Sequence, residues 1–140
     1  MNIAIVGATG NVGRKTLEVF DKKNFKFDNL YLVASEKSAG KKISFRDKEY
    51  VVENLETYDF SKADITFFAA GGKIAEKFAE KAAKHTIVID NSSFFRMDPD
   101  VPLIVPQVNA AEIKNMKKNI IANPNCSTAQ LVIALKPLHN

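Results

Sequence analysis

The only cysteine in the chain, Cys126, sits in the stretch Ile120-Ile121-Ala122-Asn123-Pro124-Asn125-Cys126-Ser127-Thr128-Ala129-Gln130. An apolar run ends there, a proline turn follows, and the thiol comes next. Pro124 drives Asn123 towards an extended conformation, and Asn125 is a good N-cap. Residues 127–135 then read as a helix, with Leu131, Val132 and Leu135 as its apolar positions. Cys126 falls in the first turn, where unpaired backbone N–H groups and the positive end of the helix dipole favour the nucleophilic thiolate. A lone cysteine is also commonly a small buried hydrophobe, so the placement by itself leaves both a nucleophile and a core residue open.

A second chemical signal opens the chain. Asn2-Ile3-Ala4-Ile5-Val6 is a short apolar run, and it leads directly into Gly7-Ala8-Thr9-Gly10-Asn11-Val12-Gly13 and a helical pattern through residue 22. Strand, glycine turn and helix in this order suit a phosphate. Gly7 permits the tight turn, Gly10 lets backbone N–H groups approach a pyrophosphate, and Gly13 lets the helix pack against the strand. The spacing is G-x-x-G-x-x-G rather than G-x-G-x-x-G, so position after a strand carries the nucleotide-binding reading. Leu30-Tyr31-Leu32-Val33-Ala34 is the next strand, about twenty residues beyond the glycines, where the ribose of a dinucleotide is met. Ser35, Glu36, Lys37, Ser38, Ala39, Gly40, Lys41 and Lys42 follow it. Hydroxyls and cations there suit the 2′-phosphate of NADP, while Glu36 is the feature that would suit NAD.

The remaining elements must bring these groups together. Residues 42–46 and 48–53 alternate across Asp47 as a small hairpin or two edge strands. Residues 65–70 read as a buried strand ending in Gly71-Gly72, and residues 74–84 as a helix with Ile74, Ala75, Phe78, Ala79 and Ala82 on one face. On the first helix, Val12, Leu17, Val19 and Phe20 are the expected inner face. Residues 86–90 form a further strand, which runs into the polar loop Asn91-Ser92-Ser93-Phe94-Phe95-Arg96-Met97. Residues 101–109 carry two prolines and are predicted to be extended but outside the sheet centre; residues 110–116 suggest a short helix, and residues 119–122 the strand that delivers Cys126. Alternating strands and helices predict an α/β, Rossmann-like, doubly wound and mainly parallel sheet with helices on both faces.

Composition narrows the function classes. The chain has 140 residues, 46% hydrophobic and 26% charged, enough for one domain with a real core. One cysteine excludes an internal disulfide framework, and with no export signal the predicted location is the cytoplasm. No apolar stretch approaches the roughly 20 residues that span a bilayer. The net charge of +4 comes mainly from scattered lysines without interleaved aromatics. That argues against nucleic acid and for a small anionic ligand. No metal-ligating set is predicted.

Several of these stretches together resemble the aspartate-semialdehyde dehydrogenase family. They are Gly7 to Gly13, Ala34-Ser35-Glu36-Lys37-Ser38-Ala39-Gly40, Ala70-Gly71-Gly72, Asp90-Asn91-Ser92-Ser93-Phe94-Phe95-Arg96-Met97, Val101-Pro102-Leu103-Ile104-Val105-Pro106-Gln107-Val108-Asn109 and Asn123-Pro124-Asn125-Cys126-Ser127-Thr128. N-acetylglutamyl-phosphate reductase is similar at the first loop and ranks second, since it usually carries glycine where Asn125 stands. The resemblance implies NADP-dependent reductive dephosphorylation of β-aspartyl phosphate to aspartate semialdehyde, within biosynthesis of lysine, methionine, threonine and diaminopimelate. It implies Cys126 as the nucleophile, Asn125 as its neighbour and Arg96 as the phosphate grip. The implied cofactor contacts are Gly7, Thr9, Gly10, Asn11, Val12, Gly13, Ser35, Lys37, Ser38, Ala70, Gly71, Gly72, Asn91 and Ser92. Lys37 stands where the family commonly has arginine, which keeps the charge and loses the bidentate fork. Ala69 and Lys73 stand where serines are frequent, and Gln107 where glutamate is common. The family also implies a second domain, outside residues 1–140, that carries dimer contacts, carboxylate recognition and the catalytic histidine, in a homodimer or homotetramer. His85 and His139 are expected to be structural or surface residues, and this chain alone is expected to be inactive. A nucleotide-binding module without redox chemistry is the competing class.

Overall fold

The computed structural model describes residues 1–139. Its main sheet has six strands, β1 (Asn2–Val6), β2 (Asn29–Ala34), β5 (Glu53–Asn54), β6 (Ile65–Phe68), β7 (Ile87–Asp90) and β8 (Ile120–Ala122), in the order β5-β2-β1-β6-β7-β8. Every pairing in it is parallel. A separate antiparallel ribbon joins β3 (Lys42–Phe45) to β4 (Lys48–Val51). The first three strands of the main sheet run outward from β1 and the last three outward in the other direction from β6. This is the 3-2-1-4-5-6 order of doubly wound dinucleotide folds, with the switch point between β1 and β6.

Helix α1 (Asn11–Lys22) lies in the β1-to-β2 crossover and α2 (Gly72–Ala82) in the β6-to-β7 crossover. Because these crossovers step in opposite directions across the sheet, their helices fall on opposite faces. Leu17 and Phe20 of α1 pack with Ile3, Ile5, Leu30 and Leu32. Ala75, Phe78, Ala79 and Ala82 of α2 pack with Ala4, Val6, Phe68, Val88 and Ile120. The alternation along β1 therefore supplies both cores, which is why the strand reads as an unbroken apolar run.

The structure corrects the sequence reading in three places. Val12 and Val19 are each 45% exposed, and only Gly13, Leu17 and Phe20 of α1 are buried. On α1's side no helix among the described residues covers β6 and β7, so the two valines border an apolar groove of about 340 Å³ that reaches Phe67 and Ile89. The expected strand over residues 48–53 is split. Gly40 and Val52 close the ribbon through a 2.9 Å bond, and the chain then changes partner so that β5 pairs with β2 as the sheet edge. Residues 102–104 are extended alongside β8, with Leu103 bridging Ala122, but α3 (Pro106–Asn109) is helical with proline at its start, where a missing N–H costs nothing. The short helix expected over residues 110–116 is present as a 3-10 helix, Ala110–Asn115.

Helix α4 (Cys126–Leu135) follows β8. None of its residues is buried, and Leu131, Ile133 and Leu135 are exposed. Among the described residues no helix is long and apolar enough to cross a membrane.

Candidate active site

A parallel sheet sends every strand out through the same edge, so the segments after β1, β2, β6, β7 and β8 gather there without further design. The backbone ladder continues one residue past the strands: Gly7 donates to Val33 at 2.8 Å, Ala69 to Val6 at 2.8 Å, Asn91 to Phe68 at 3.0 Å and Asn123 to Asp90 at 2.8 Å. The glycine, serine, lysine, asparagine, arginine and cysteine residues expected at the site lie on these segments.

The first glycine loop is packed to the limit on its protein side. Gly7 has φ +86°, and a Cβ there would meet the Ala69 carbonyl oxygen at 2.6 Å; a Cβ on Gly13 would meet the Gly7 oxygen at 2.3 Å. Gly10 is different, since a Cβ on it would find only the Gly7 oxygen, at 3.4 Å. The loop is thus closed towards the sheet and open at Gly10. Gly10 is the N-cap of α1, and Gly71, with φ +86° and open space beside it, is the N-cap of α2; neither helix start has a side-chain cap. Two helix N-termini with unpaired N–H groups flank the switch point, an arrangement that suits an anion. Arg14 Nε donates to the Thr9 carbonyl at 3.3 Å and stiffens the loop from outside, a role its place among surface lysines did not signal.

Beyond β2, Glu36–Ser38 form a single 3-10 turn. Ser35 and Lys37 are exposed, and Ser38 is turned towards the glycine loop, where the Thr9 hydroxyl donates to its Oγ at 3.5 Å. The Ser38 hydroxyl therefore adjoins the phosphate loop, with Ser35 and Lys37 exposed on the same turn. The open glycines leave room beside the loop and the uncapped helix starts leave N–H donors free, an arrangement that suits the pyrophosphate of a dinucleotide.

The loop after β7 is organised by Asp90, which is fully buried. Its carboxylate accepts from Ser92 N at 3.0 Å and from the Ser92 hydroxyl at 2.6 Å, and Ser92 Oγ accepts from Phe94 N at 3.2 Å. Ser92 is thus turned inward, and its hydroxyl shapes the loop. An Asp two residues before a Ser at a strand end is the signal that could have assigned this role. At the far end of the loop the Asp98 carboxyl is held below the usual carboxylate range by the Asp100 backbone N–H and by Lys118, whose ammonium lies 3.0 Å away.

Arg96, half-buried, spans the loops after β7 and β8. Its Nε donates to the Asn123 carbonyl at 3.0 Å and its Nη2 to the Asn91 carbonyl at 3.3 Å. Three residues past Asn123, at most about 11 Å along the Cα trace, stands Cys126. The thiol is exposed, which removes the buried-hydrophobe reading for these residues, and it is the first residue of α4. Asn125 caps that helix by accepting from Ser127 N at 2.9 Å, and the same Oδ1 lies 3.8 Å from Cys126 Sγ as a weak acceptor. One amide oxygen therefore fixes both the helix start and the thiol. His85 is exposed just before β7, at the opposite edge of the sheet, and His139 lies past the far end of α4, about 20 Å along the helix axis from Cys126. Neither histidine shares the site.

Known proteins share this fold and much of this sequence. Residues 2–116 match the model of the semialdehyde dehydrogenase NAD-binding domain family. The aspartate-semialdehyde dehydrogenase of Aquifex aeolicus is 54% identical over 141 residues, covering 99% of this chain and 42% of that protein. The crystal structure of aspartate semialdehyde dehydrogenase II from Vibrio cholerae, complexed with ASA, superposes with a TM-score of 0.92 at 50% identity, over 99% of this chain and 46% of that one. The Candida albicans enzyme, solved with NADP, gives 0.75 at 30% identity over 98% of this chain and 46% of that one. The chain thus spans less than half the length of these relatives. Matched by the family model over residues 2–116 and by these relatives over nearly its whole length, the chain belongs to the semialdehyde dehydrogenase family, as a NAD(P)-type nucleotide-binding domain whose relatives are aspartate-semialdehyde dehydrogenases.

Proposed function

We propose that the protein is an oxidoreductase that converts β-aspartyl phosphate to aspartate semialdehyde with NADPH, and that this chain supplies its cofactor site, nucleophile and phosphate grip. The observation that carries the reading is the exposed Cys126 at the start of α4, one strand end from Arg96 and on the same sheet edge as the two open glycine helix starts.

Bound NADPH supplies the hydride. The chain's own residues do the rest. The Cys126 thiolate attacks the acyl carbon, the C–O bond to phosphate breaks, and inorganic phosphate leaves with the electron pair, giving a thioester on Cys126. After reduction the resulting thiohemiacetal collapses, the C–S bond breaks, and the thiolate returns. Arg96 offers its remaining N–H groups to the departing phosphate. Asn125 orients the thiol through its Oδ1 while keeping α4's first N–H groups in place. Backbone N–H groups at Asn11, Val12 and Gly13, and at Gly71 and Gly72, hold the pyrophosphate; Thr9 and Ala70 line its approach; and Ser35, Lys37 and Ser38 favour NADP over NAD. Asn91 and Ser92 bound the nicotinamide side of the edge.

The acid/base group and carboxylate recognition belong to a further domain. The exposed leucines and isoleucine of α4 support such a cover, because a helix apolar on every side is ordinarily buried. In the complete enzyme we expect a cytoplasmic homodimer or homotetramer. An aldehyde-mimicking electrophile should label Cys126 faster than a model thiol near neutral pH, with protection by NADP. Slow labelling that NADP does not alter would overturn the enzyme reading in favour of a nucleotide-binding module. NADP-dependent turnover by residues 1–140 alone would overturn the assignment of the acid/base group to another domain.

A further inference from the structure

We propose that Asn123 is a positioning residue that fixes the direction of the Arg96 guanidinium, so that phosphate is gripped end-on by Nη1 and Nη2. The inference rests on the function proposed above and deepens its phosphate site.

A guanidinium has five N–H donors and two faces that can meet an oxyanion bidentately, the side-on pair Nε/Nη2 and the end-on pair Nη1/Nη2. Here the side-on pair is already committed to protein, with Nε on the Asn123 carbonyl at 3.0 Å and Nη2 on the Asn91 carbonyl at 3.3 Å. The free bidentate face is the end-on one. Its direction is therefore set by the relative placement of two backbone carbonyls on different loops.

Asn123 fixes that placement. Its backbone N donates to the Asp90 carbonyl at 2.8 Å, and its side-chain Nδ2 donates to Asn91 Oδ1 at 2.6 Å. Together with the Arg96 bond to its own carbonyl, these contacts tie the end of β8 to the residue whose carbonyl holds Nη2. Asn91 is tied on its other side by its N–H to Phe68 at 3.0 Å. Of the two bonds to Arg96 the one to Asn91 is the longer, and it is the one the Asn123 amide supports. Without that amide the Asn91 peptide can tilt, Nη2 loses its acceptor, and the guanidinium swings about the Nε bond. The charge stays near the site while its fork no longer points one way. Cys126 lies outside this network and is held separately by the Asn125 cap.

The experiment uses the intact enzyme in the phosphate-dependent oxidation of aspartate semialdehyde, where acylation of Cys126 precedes attack by phosphate. Asn123→Ala should raise KM for phosphate about tenfold while the rate of the acylation burst and KM for the aldehyde stay within twofold. In an Arg96→Ala background the same change should have no further effect on phosphate. If Asn123→Ala is insoluble, Asn123→Ser, whose hydroxyl is too short to span the gap to Asn91, is expected to give the same pattern. An unchanged phosphate KM, a loss of the acylation burst in equal measure, or an additive loss in the Arg96→Ala background would each overturn the proposal. Line broadening of inorganic phosphate in 31P spectra of the same variants needs no turnover. A protein that binds phosphate through Arg96 and Asn123 without oxidising the aldehyde would refute the proposed function and leave this inference standing.

Discussion

Gly10 and Gly13 stand three residues apart in one loop, yet the same substitution should do opposite things at each. In Gly13→Ala the new Cβ lies 2.3 Å from the Gly7 oxygen and 2.8 Å from the Ala8 Cα, against ordinary contact at 3.4–4 Å. Relief requires a shift of about 1 Å, and both obstructing atoms are backbone, so no side-chain rotation can absorb it. The Gly7 oxygen also accepts from Gly10 N at 3.0 Å, so displacing it strains the loop's own bond. Overpacking of this kind costs about 1–3 kcal/mol and a strained loop bond about 1 more, while alanine's better helix preference returns about 1. The net expectation is a loss of about 1–3 kcal/mol. In Gly10→Ala the only neighbour is at 3.4 Å and φ is −81°, so the fold should lose about 1 kcal/mol or less, the ordinary cost of a poor N-cap. Its methyl group, however, points into the open side of the loop, and NADPH affinity should fall at least tenfold. Denaturant midpoints with constant slope give the stabilities, and NADPH fluorescence titration gives the affinities. Equal destabilisation by the two variants, or a Gly10→Ala protein that binds NADPH normally, would refute the division of the loop into a closed and an open side.

Three further outcomes follow from the structure. Tyr58 is buried, its hydroxyl has no hydrogen-bond partner among the described residues, and burial raises the pKa of that hydroxyl. Removing an unsatisfied group is cheap, so Tyr58→Phe should be neutral or stabilising by about 1 kcal/mol. Because the folded pKa lies above the unfolded value of about 10, the wild type should lose stability as pH climbs above 10 and the phenylalanine variant should lose less; a neutral-pH loss above 1 kcal/mol would contradict this. Asp98 has its pKa lowered in the fold, chiefly by the Asp100 N–H and then by Lys118. Its contribution is present above the unfolded carboxylate value near 4 and disappears as pH falls below it, so the stability gap between wild type and Asp98→Asn should be open at pH 7 and closed by about pH 2. A gap that does not change with pH would sink the assignment. Lys37→Arg should raise the preference for NADP over NAD, since a guanidinium can meet a 2′-phosphate bidentately, and Lys37→Ala should lower it; unchanged ratios of kcat/KM would remove Lys37 from the cofactor site.

The succession of strands and helices along the chain, the two glycine helix starts and the N-cap at Asn125 were legible in the residues, because each depends on local chemistry: apolar runs, a positive φ, an amide oxygen next to a free N–H. Periodicity misjudged Val12 and Val19 because it reports which face of a helix is apolar and not how much sheet that face has to cover. It merged β4 with β5 because a change of pairing partner leaves no mark on alternation. At the site, Cys126 and Arg96 could be named from their stretches, and the Asp90–Ser92 spacing carried a local signal for the loop's shape, but two things emerged only in three dimensions. These are the Arg14 bond to Thr9 and the commitment of one face of Arg96 to two carbonyls.

The sequence by itself determined the chemistry available, a thiol at a helix start, glycines where phosphate can approach, and one arginine in a polar loop, since these are properties of single residues and near neighbours. Tertiary structure decided their convergence and direction. The segments after β1, β2, β6, β7 and β8 meet because parallel strands leave the sheet on one edge, and the Arg96 fork is aimed by carbonyls on two of those segments that are 32 residues apart in the chain. Distances of that kind are set by the register of β7 on β8, which no local pattern encodes.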